Sequence, residues 1–151
     1  DFTDGNIESL SLPKVDFEKA ATIKYDLVKE NKNADIIYFQ PIQLGSILEN
    51  PFQRTERFSV IDFPYTQSYH VIFNFDVPEG YTAELPEATI VKLPAEQGEF
   101  SYNVSQTGNK INIVSKININ NTLFSVAEYP TLKEFYELIA NKHQEPIVLK
   151  K

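Results

Sequence analysis

Tyr69-His70-Val71-Ile72-Phe73-Asn74-Phe75-Asp76-Val77 carries a large apolar side chain at every odd position. A β-strand repeats every two residues, so this run offers one unbroken apolar face to a core. The same alternation recurs along most of the chain. Phe100, Tyr102 and Val104 alternate with Ser101, Asn103 and Ser105. Ile111, Ile113, Ile117 and Ile119 share a face that Ser115 interrupts, backed by Asn112, Lys116 and Asn118. Ile23, Tyr25 and Leu27 oppose Thr22, Lys24 and Asp26. Phe58, Val60 and Asp62 alternate with Ser59, Ile61 and Phe63, which predicts a strand covered on both sides. One apolar and one polar face is the pattern of antiparallel sheets packed on one side.

Turn residues punctuate these runs. Thr107-Gly108-Asn109 predicts a short hairpin, with Gly supplying the positive φ. Pro78-Glu79-Gly80 closes the aromatic strand as a turn. Pro86 and Pro94 bracket the short run from Ala88 to Leu93 and belong at strand ends or an edge. The stretch from Pro41 to Pro51 has no period and reads as a connection with one helical turn near Ile47-Leu48.

One segment departs from period two. Between Tyr129 and His143, the apolar residues Leu132, Phe135, Tyr136, Leu138 and Ile139 recur at helical spacing, which predicts a helix over about 130–143. Pro130 suits its first turn, and Lys142 and His143 suit its last turn as cations facing the dipole. Ser125 and Glu128 have capping-box spacing but lie slightly early for this helix. Lys133, Glu134, Glu137 and Asn141 would face water. Pro146 stops the helix, and Ile147-Val148-Leu149 can form a last strand. The expected fold is mainly β: an antiparallel, immunoglobulin-like β-sandwich with one C-terminal helix packed on it. It spans 1–151 as a single domain, with residues 1–13 either part of it or a linker or tail of a preceding domain.

Bulk composition bounds the function. A chain of 151 residues with 42 % hydrophobic content can bury a core without disulfides or metal. Zero Cys excludes disulfides, thiolate metal sites and a cysteine nucleophile within this chain. A net charge of −7 argues against a general nucleic-acid partner, which needs clustered Lys and Arg. No apolar stretch approaches the roughly 20 residues of a membrane helix, so no membrane insertion is expected. The chain starts at Asp1 and contains no Met, which reads as a fragment or a processed chain.

Reactive residue types are scarce, and each has an ordinary reading. Ser68, His70 and Asp76 supply the letters of a triad without a nucleophile-elbow motif, so they read as strand residues. Two distant His and no Cys show no metal-ligand spacing, and no metal or cofactor is expected. Asp1, Asp4 and Asn6 around Gly5 lack the closing Glu of a calcium loop and read as a turn. Glu96 with Glu99, and Glu134 with Glu137, read as surface charge rather than a glycosidase pair. Asn103-Val104-Ser105 and Asn120-Asn121-Thr122 match the glycosylation pattern, which matters only in a eukaryotic secreted chain. The aromatics Tyr38, Phe39, Phe52, Phe63, Tyr65, Tyr81 and Tyr129 stand at strand ends or beside turns. Two readings of them stay open. They cap the ends of the core, or Tyr38, Phe52, Tyr65, Tyr81 and Tyr129 form a patch for a sugar ring or a peptide.

From Asn50 onward a specific order of motifs appears. Asn50-Pro51-Phe52, Arg57, Val60-Ile61-Asp62-Phe63-Pro64-Tyr65 and Tyr69 come first. Pro78-Glu79-Gly80-Tyr81, Leu85-Pro86, Gly98-Glu99-Phe100-Ser101-Tyr102 and Gly108-Asn109 follow. Glu128-Tyr129-Pro130, Leu132-Lys133-Glu134-Phe135-Tyr136 and Pro146-Ile147-Val148-Leu149-Lys150-Lys151 complete the set. This order resembles the C-terminal domain of uncharacterised bacterial transglutaminase-like proteins, over about two-thirds of the sequence. In that family a β-rich N-terminal domain precedes a papain-like core, and a β-sandwich closes the chain.

The resemblance implies a periplasmic or envelope location and a partner in the upstream transglutaminase-like domain of the parent chain. The family's catalytic Cys, His and Asp do not carry over, because this chain has no Cys. The expected function is therefore a non-catalytic accessory domain acting through domain–domain contacts, with an apolar docking patch on its surface. The alternative is a carbohydrate- or peptide-binding module using the strand-end aromatics.

Overall fold

The computed structural model describes residues 6–11, 24–28, 34–42 and 45–151. The chain forms two compact units, Asp1–Ala34 and Asp35–Lys151. In the first, β1 (Asn6–Ser11) pairs antiparallel with β2 (Lys24–Val28), with an irregularity in register between Ile7 and Ser9. Ile23 and Thr22 of the expected strand lie outside the described residues.

The second unit is built from antiparallel sheets and one helix. Its strands are β3 (Ile36–Phe39), β4 (Ile61–Asp62), β5 (Gln67–Asp76), β6 (Thr82–Glu84), β7 (Thr89–Lys92), β8 (Gly98–Thr107), β9 (Lys110–Ile119), β10 (Leu123–Phe124) and β11 (Ile147–Lys150). The helix α1 runs Tyr129–Gln144. One sheet has the order β5-β9-β8-β7, a second β3-β11-β6, and β4 pairs with β10.

The inner face of the large sheet follows from the alternation. Ile111, Ile113, Ser115, Ile117 and Ile119 of β9 are buried, beside Phe100 and Tyr102 of β8. Opposite them lie Leu132, Phe135, Tyr136, Ile139, Ala140 and His143 of α1, all buried. Ile147 and Leu149 of β11 complete the core from the second sheet. Phe39 of β3 meets Phe75 and Phe73 of β5 at ring-centroid distances of 4.7 and 6.3 Å. Burying each such large side chain contributes about 1.5–3 kcal/mol. The architecture is thus the expected antiparallel sandwich with a C-terminal helix, and the helix forms part of the second layer. Val71, Phe73 and Phe75 are half-buried, while Tyr69 remains exposed, because β5 lies at the sheet edge.

Turn chemistry behaves as the residues dictate. Gly108 adopts φ +62° between β8 and β9, and Tyr81 donates its amide to the Pro78 carbonyl at 3.2 Å. Ser125 and Glu128 cap a 3-10 turn, Val126–Glu128, which leads directly into α1. There the Glu128 carboxylate accepts from the Ser125 amide and hydroxyl, both at 2.7 Å.

Four expectations need correction. Phe58 and Val60 are in no covered strand: only Ile61–Asp62 pairs there, and Phe58 is 90 % exposed. Alternation over a few residues cannot form a strand without a partner of equal length, and β10 supplies two residues. Ile47-Leu48 form no helical turn, because the Ile47 amide is taken by His143. Leu138 points outward rather than into the stripe. His143 belongs inside rather than at the solvent as a cation.

Gly98 tests the closeness of β8 to β9. A Cβ there would lie 2.9 Å from the Asn118 carbonyl oxygen and 2.9 Å from Leu93 Cδ1. Gly98→Ala should cost about 1–3 kcal/mol through forced displacement of packed atoms. Urea denaturation reads it; an unchanged midpoint would contradict this packing.

Candidate functional site

The triad letters are not brought together. Ser68, His70 and Asp76 lie along one face of a single strand, paired in register with Asn118, Lys116 and Lys110. At about 3.3 Å per residue, His70 and Asp76 are separated by roughly 20 Å. Ser68 Oγ instead bonds to Asn118 Oδ1 at 2.8 Å. The acidic residues are engaged elsewhere: Glu99 pairs with Lys92 at 3.0 Å, and Glu137 accepts from Asn50 Nδ2 at 2.9 Å. Asp1 and Asp4 lie outside the described residues.

The structure distributes the five aromatics between interior and surface. Phe52 and Tyr129 are buried and meet edge-to-face at 6.0 Å, with Tyr136 against Phe52 at 5.1 Å. Tyr38 and Tyr65 are each 64 % exposed. Tyr38 projects from the outer face of the small sheet, opposite Val148. Tyr81 is half-buried, with Lys151 Nζ 5.5 Å above its ring. Phe52 and Tyr129 are thus consumed by the core.

The chemistry that the periodicity did not reveal is buried beneath α1. His143, 1 % exposed, places Nε2 2.8 Å from Ser115 Oγ and Nδ1 3.0 Å from the Ile47 amide nitrogen. The Ile47 N–H can only donate, so Nδ1 holds a lone pair and the neutral ring carries its proton on Nε2. Nε2–H therefore donates to Ser115. A serine nucleophile needs the opposite polarity, with an imidazole nitrogen free to accept the hydroxyl proton. The pair is a structural strut. Phe100 packs edge-on against the imidazole at 5.7 Å, and Tyr102 lies beside it at 6.5 Å. The Tyr102 hydroxyl is buried without a hydrogen-bond partner, and burial, with the Glu145 charge, pushes its pKa up to about 12.

The same strut holds the aperiodic connection. Asn50 Nδ2 donates to the Lys133 carbonyl and to Glu137 Oε2, both at 2.9 Å, while Oδ1 accepts from the Phe52 amide at 2.9 Å. Tyr129 donates its hydroxyl to the Arg54 carbonyl at 2.6 Å. The Gln144 side-chain amide donates to the Leu48 carbonyl. Residues 47–54 therefore run along the helix, fixed by side-chain bonds to backbone. The Asn50 amide was the available signal: an Asn before Pro-Phe can bond backbone two residues on.

The described surface carries open grooves. An open groove of about 510 Å³ is lined by Thr89, Leu138, Asn141, Lys142, Gln144 and Glu145. Its one cation, Lys142, is paired with Glu145. Among the described residues, no three His, Asp or Glu side chains gather as a metal site. No helix among them is long and apolar enough to cross a membrane.

Burial lowers the pKa of His143 below the ordinary 6.5, and protonating Nδ1 would set two donors against each other. The unfolded chain then binds a proton near pH 6.5 that the folded chain still refuses. Stability contributed by the neutral ring is present above about pH 6.5 and declines as pH falls toward the lower folded value. Urea midpoints measured from pH 8 to 5 should fall for the wild type, and His143→Gln should flatten that slope. An equal slope in both proteins would contradict the assignment.

Comparison with known proteins adds the family. A crystal structure described as a putative protease from Parabacteroides distasonis shares the fold, with a TM-score of 0.61 at 17 % identity. The match covers 77 % of this chain and 23 % of that one, so this chain spans about a quarter of that protein. No curated protein sequence matches. The profile of a family described as a domain of unknown function with solved structure (DUF3858) matches residues 35–149, nearly the whole of the second compact unit. The chain therefore belongs to the DUF3858 family.

Proposed function

We propose that this domain is a non-catalytic accessory unit of a larger, protease-like or transglutaminase-like protein, working through contacts with a neighbouring domain of the same parent chain. The observation that carries this reading is the exposed apolar surface around the β4–β10 ladder. Ile61 and Phe124 of that ladder point inward and are buried, while Leu123, paired with Asp62, points outward and is 52 % exposed. Phe58 and Val60 lead into β4, and Val126 follows β10; all three are exposed. Phe58 keeps almost its full ring in water, an arrangement with no folding benefit. Apolar groups exposed on the chain segments that flank one ladder suit a contact surface.

Two further observations support the reading. The likeness to a putative protease covers only 23 % of that protein, which fits one module among several. The buried Ser115–His143 pair has the wrong polarity for nucleophilic attack. An upstream transglutaminase-like core and an envelope location belong to the same proposal. The glycan or peptide alternative is weakened, because two of its five aromatics are core residues.

In a parent polypeptide carrying this domain, Phe58→Glu combined with Leu123→Lys should release the docked domain. Each side chain contributes about 1.5–3 kcal/mol when fully covered. Proteolytic cutting between the domains should then accelerate by at least about tenfold. The same double variant of residues 1–151 should keep its wild-type melting temperature, since neither side chain is buried in it. Unchanged cutting in the parent protein would refute docking through this surface.

A further inference from the structure

The four-stranded sheet ends in two unlike edges. β7 is four residues long, carries Lys92, and lies between Pro86 and Pro94. Shortness, a lysine and flanking prolines are means by which sheets avoid pairing with other chains. β5 shares the flanking prolines, Pro64 and Pro78, but has neither the shortness nor the lysine. It is ten residues long, contains neither Lys nor Pro, and pairs without a bulge from Gln67↔Ile119 to Asp76↔Lys110.

The direction of its backbone groups follows from one bond. Val77, just beyond β5, donates its amide to the Asn109 carbonyl at 2.7 Å, toward β9. In an antiparallel ladder, alternate residues direct both N–H and C=O to the same side. Tyr69, Val71, Phe73 and Phe75 therefore bond β9. Ser68, His70, Ile72, Asn74 and Asp76 direct their amides and carbonyls to the open edge. Among the described residues no other segment bonds these groups. Ile72 is 57 % exposed on a face where its strand neighbours are His70 and Asn74.

We propose that β5 is a self-association edge: β5 of a second copy pairs with it antiparallel about a two-fold axis at Ile72. The strand is complementary to itself in this register. On the outer face Ser68 meets Asp76, His70 meets Asn74, and Ile72 meets its own counterpart. On the inner face Tyr69 meets Phe75, and Val71 meets Phe73. Every open amide and carbonyl from Ser68 to Asp76 finds a partner, and the two sheets become one continuous sheet. Registers displaced by one residue would set each open amide and carbonyl against a residue whose own groups already bond β9. The only fixed charge of the strand, Asp76, faces a serine, so the pairing opposes no like charges although the chain carries −7. An isologous two-fold contact of this kind closes on itself and ends at a dimer.

The test uses residues 1–151. Sedimentation across a hundredfold range of concentration should show a monomer–dimer equilibrium. Hydrogen exchange should show protection at Ser68, His70, Ile72, Asn74 and Asp76 rising with concentration, while Tyr69, Val71, Phe73 and Phe75 stay protected throughout. Ile72→Lys places like charges opposite each other at the axis and should weaken the dimer by at least about tenfold. Ile90→Lys, on β7, should leave it unchanged. A chain that stays monomeric overturns the proposal, as does a dimer indifferent to Ile72→Lys. Edge protection that appears only on adding an unrelated extended peptide overturns it too. Should Ile72→Lys fail to fold, the concentration dependence of wild-type exchange decides alone.

Discussion

A buried imidazole ties together the three parts of the second unit that periodicity alone leaves independent. His143 lies in the last turn of α1, Ser115 in the middle of β9, and Ile47 in an aperiodic connection. Two hydrogen bonds from one ring join helix, sheet and loop. The cost of burying an unpaired polar group makes the arrangement selective. If α1 slid along the sheet by one turn, Ser115 would be stranded among isoleucines. Apolar packing supplies most of the stability, whereas the imidazole fixes how the layers register.

Much of the fold was legible because β8, β9 and α1 are long and strongly periodic. The four isoleucines of β9 each face the core, and Ser115 sits at the one place where α1 brings a polar partner. What was illegible depended on distant neighbours. His143 has the sequence position of a dipole-stabilising cation, but tertiary burial outweighs the local charge rule. Residues 47–54 show no period because side-chain-to-backbone bonds along α1 hold them. Phe58 alternates as a strand residue would, yet its partner strand is too short to continue the ladder. The aromatics divided for a similar reason: Phe52 lies behind the Asn50 turn, against the helix, whereas Tyr38 stands on the outer face of a three-stranded sheet. Local sequence does not distinguish those two environments.

The function proposed for this domain belongs to its exterior. Of the titratable side chains at the end of α1, His143 is held by Ser115 and Ile47, and Lys142 by Glu145. The exposed apolar groups around β4 and β10 and the open edge of β5 are different surfaces, the first built from side chains and the second from backbone. One suits a neighbouring domain and the other an identical strand.

The most direct test of the central strut is nitrogen-15 NMR of the His143 ring in the folded chain. The geometry requires the Nε2–H tautomer, a lone pair on Nδ1 coupled to the Ile47 amide, and no protonation near pH 6.5. A ring that titrates with a normal pKa, or that carries its proton on Nδ1, would contradict the account of how helix, sheet and loop are held together.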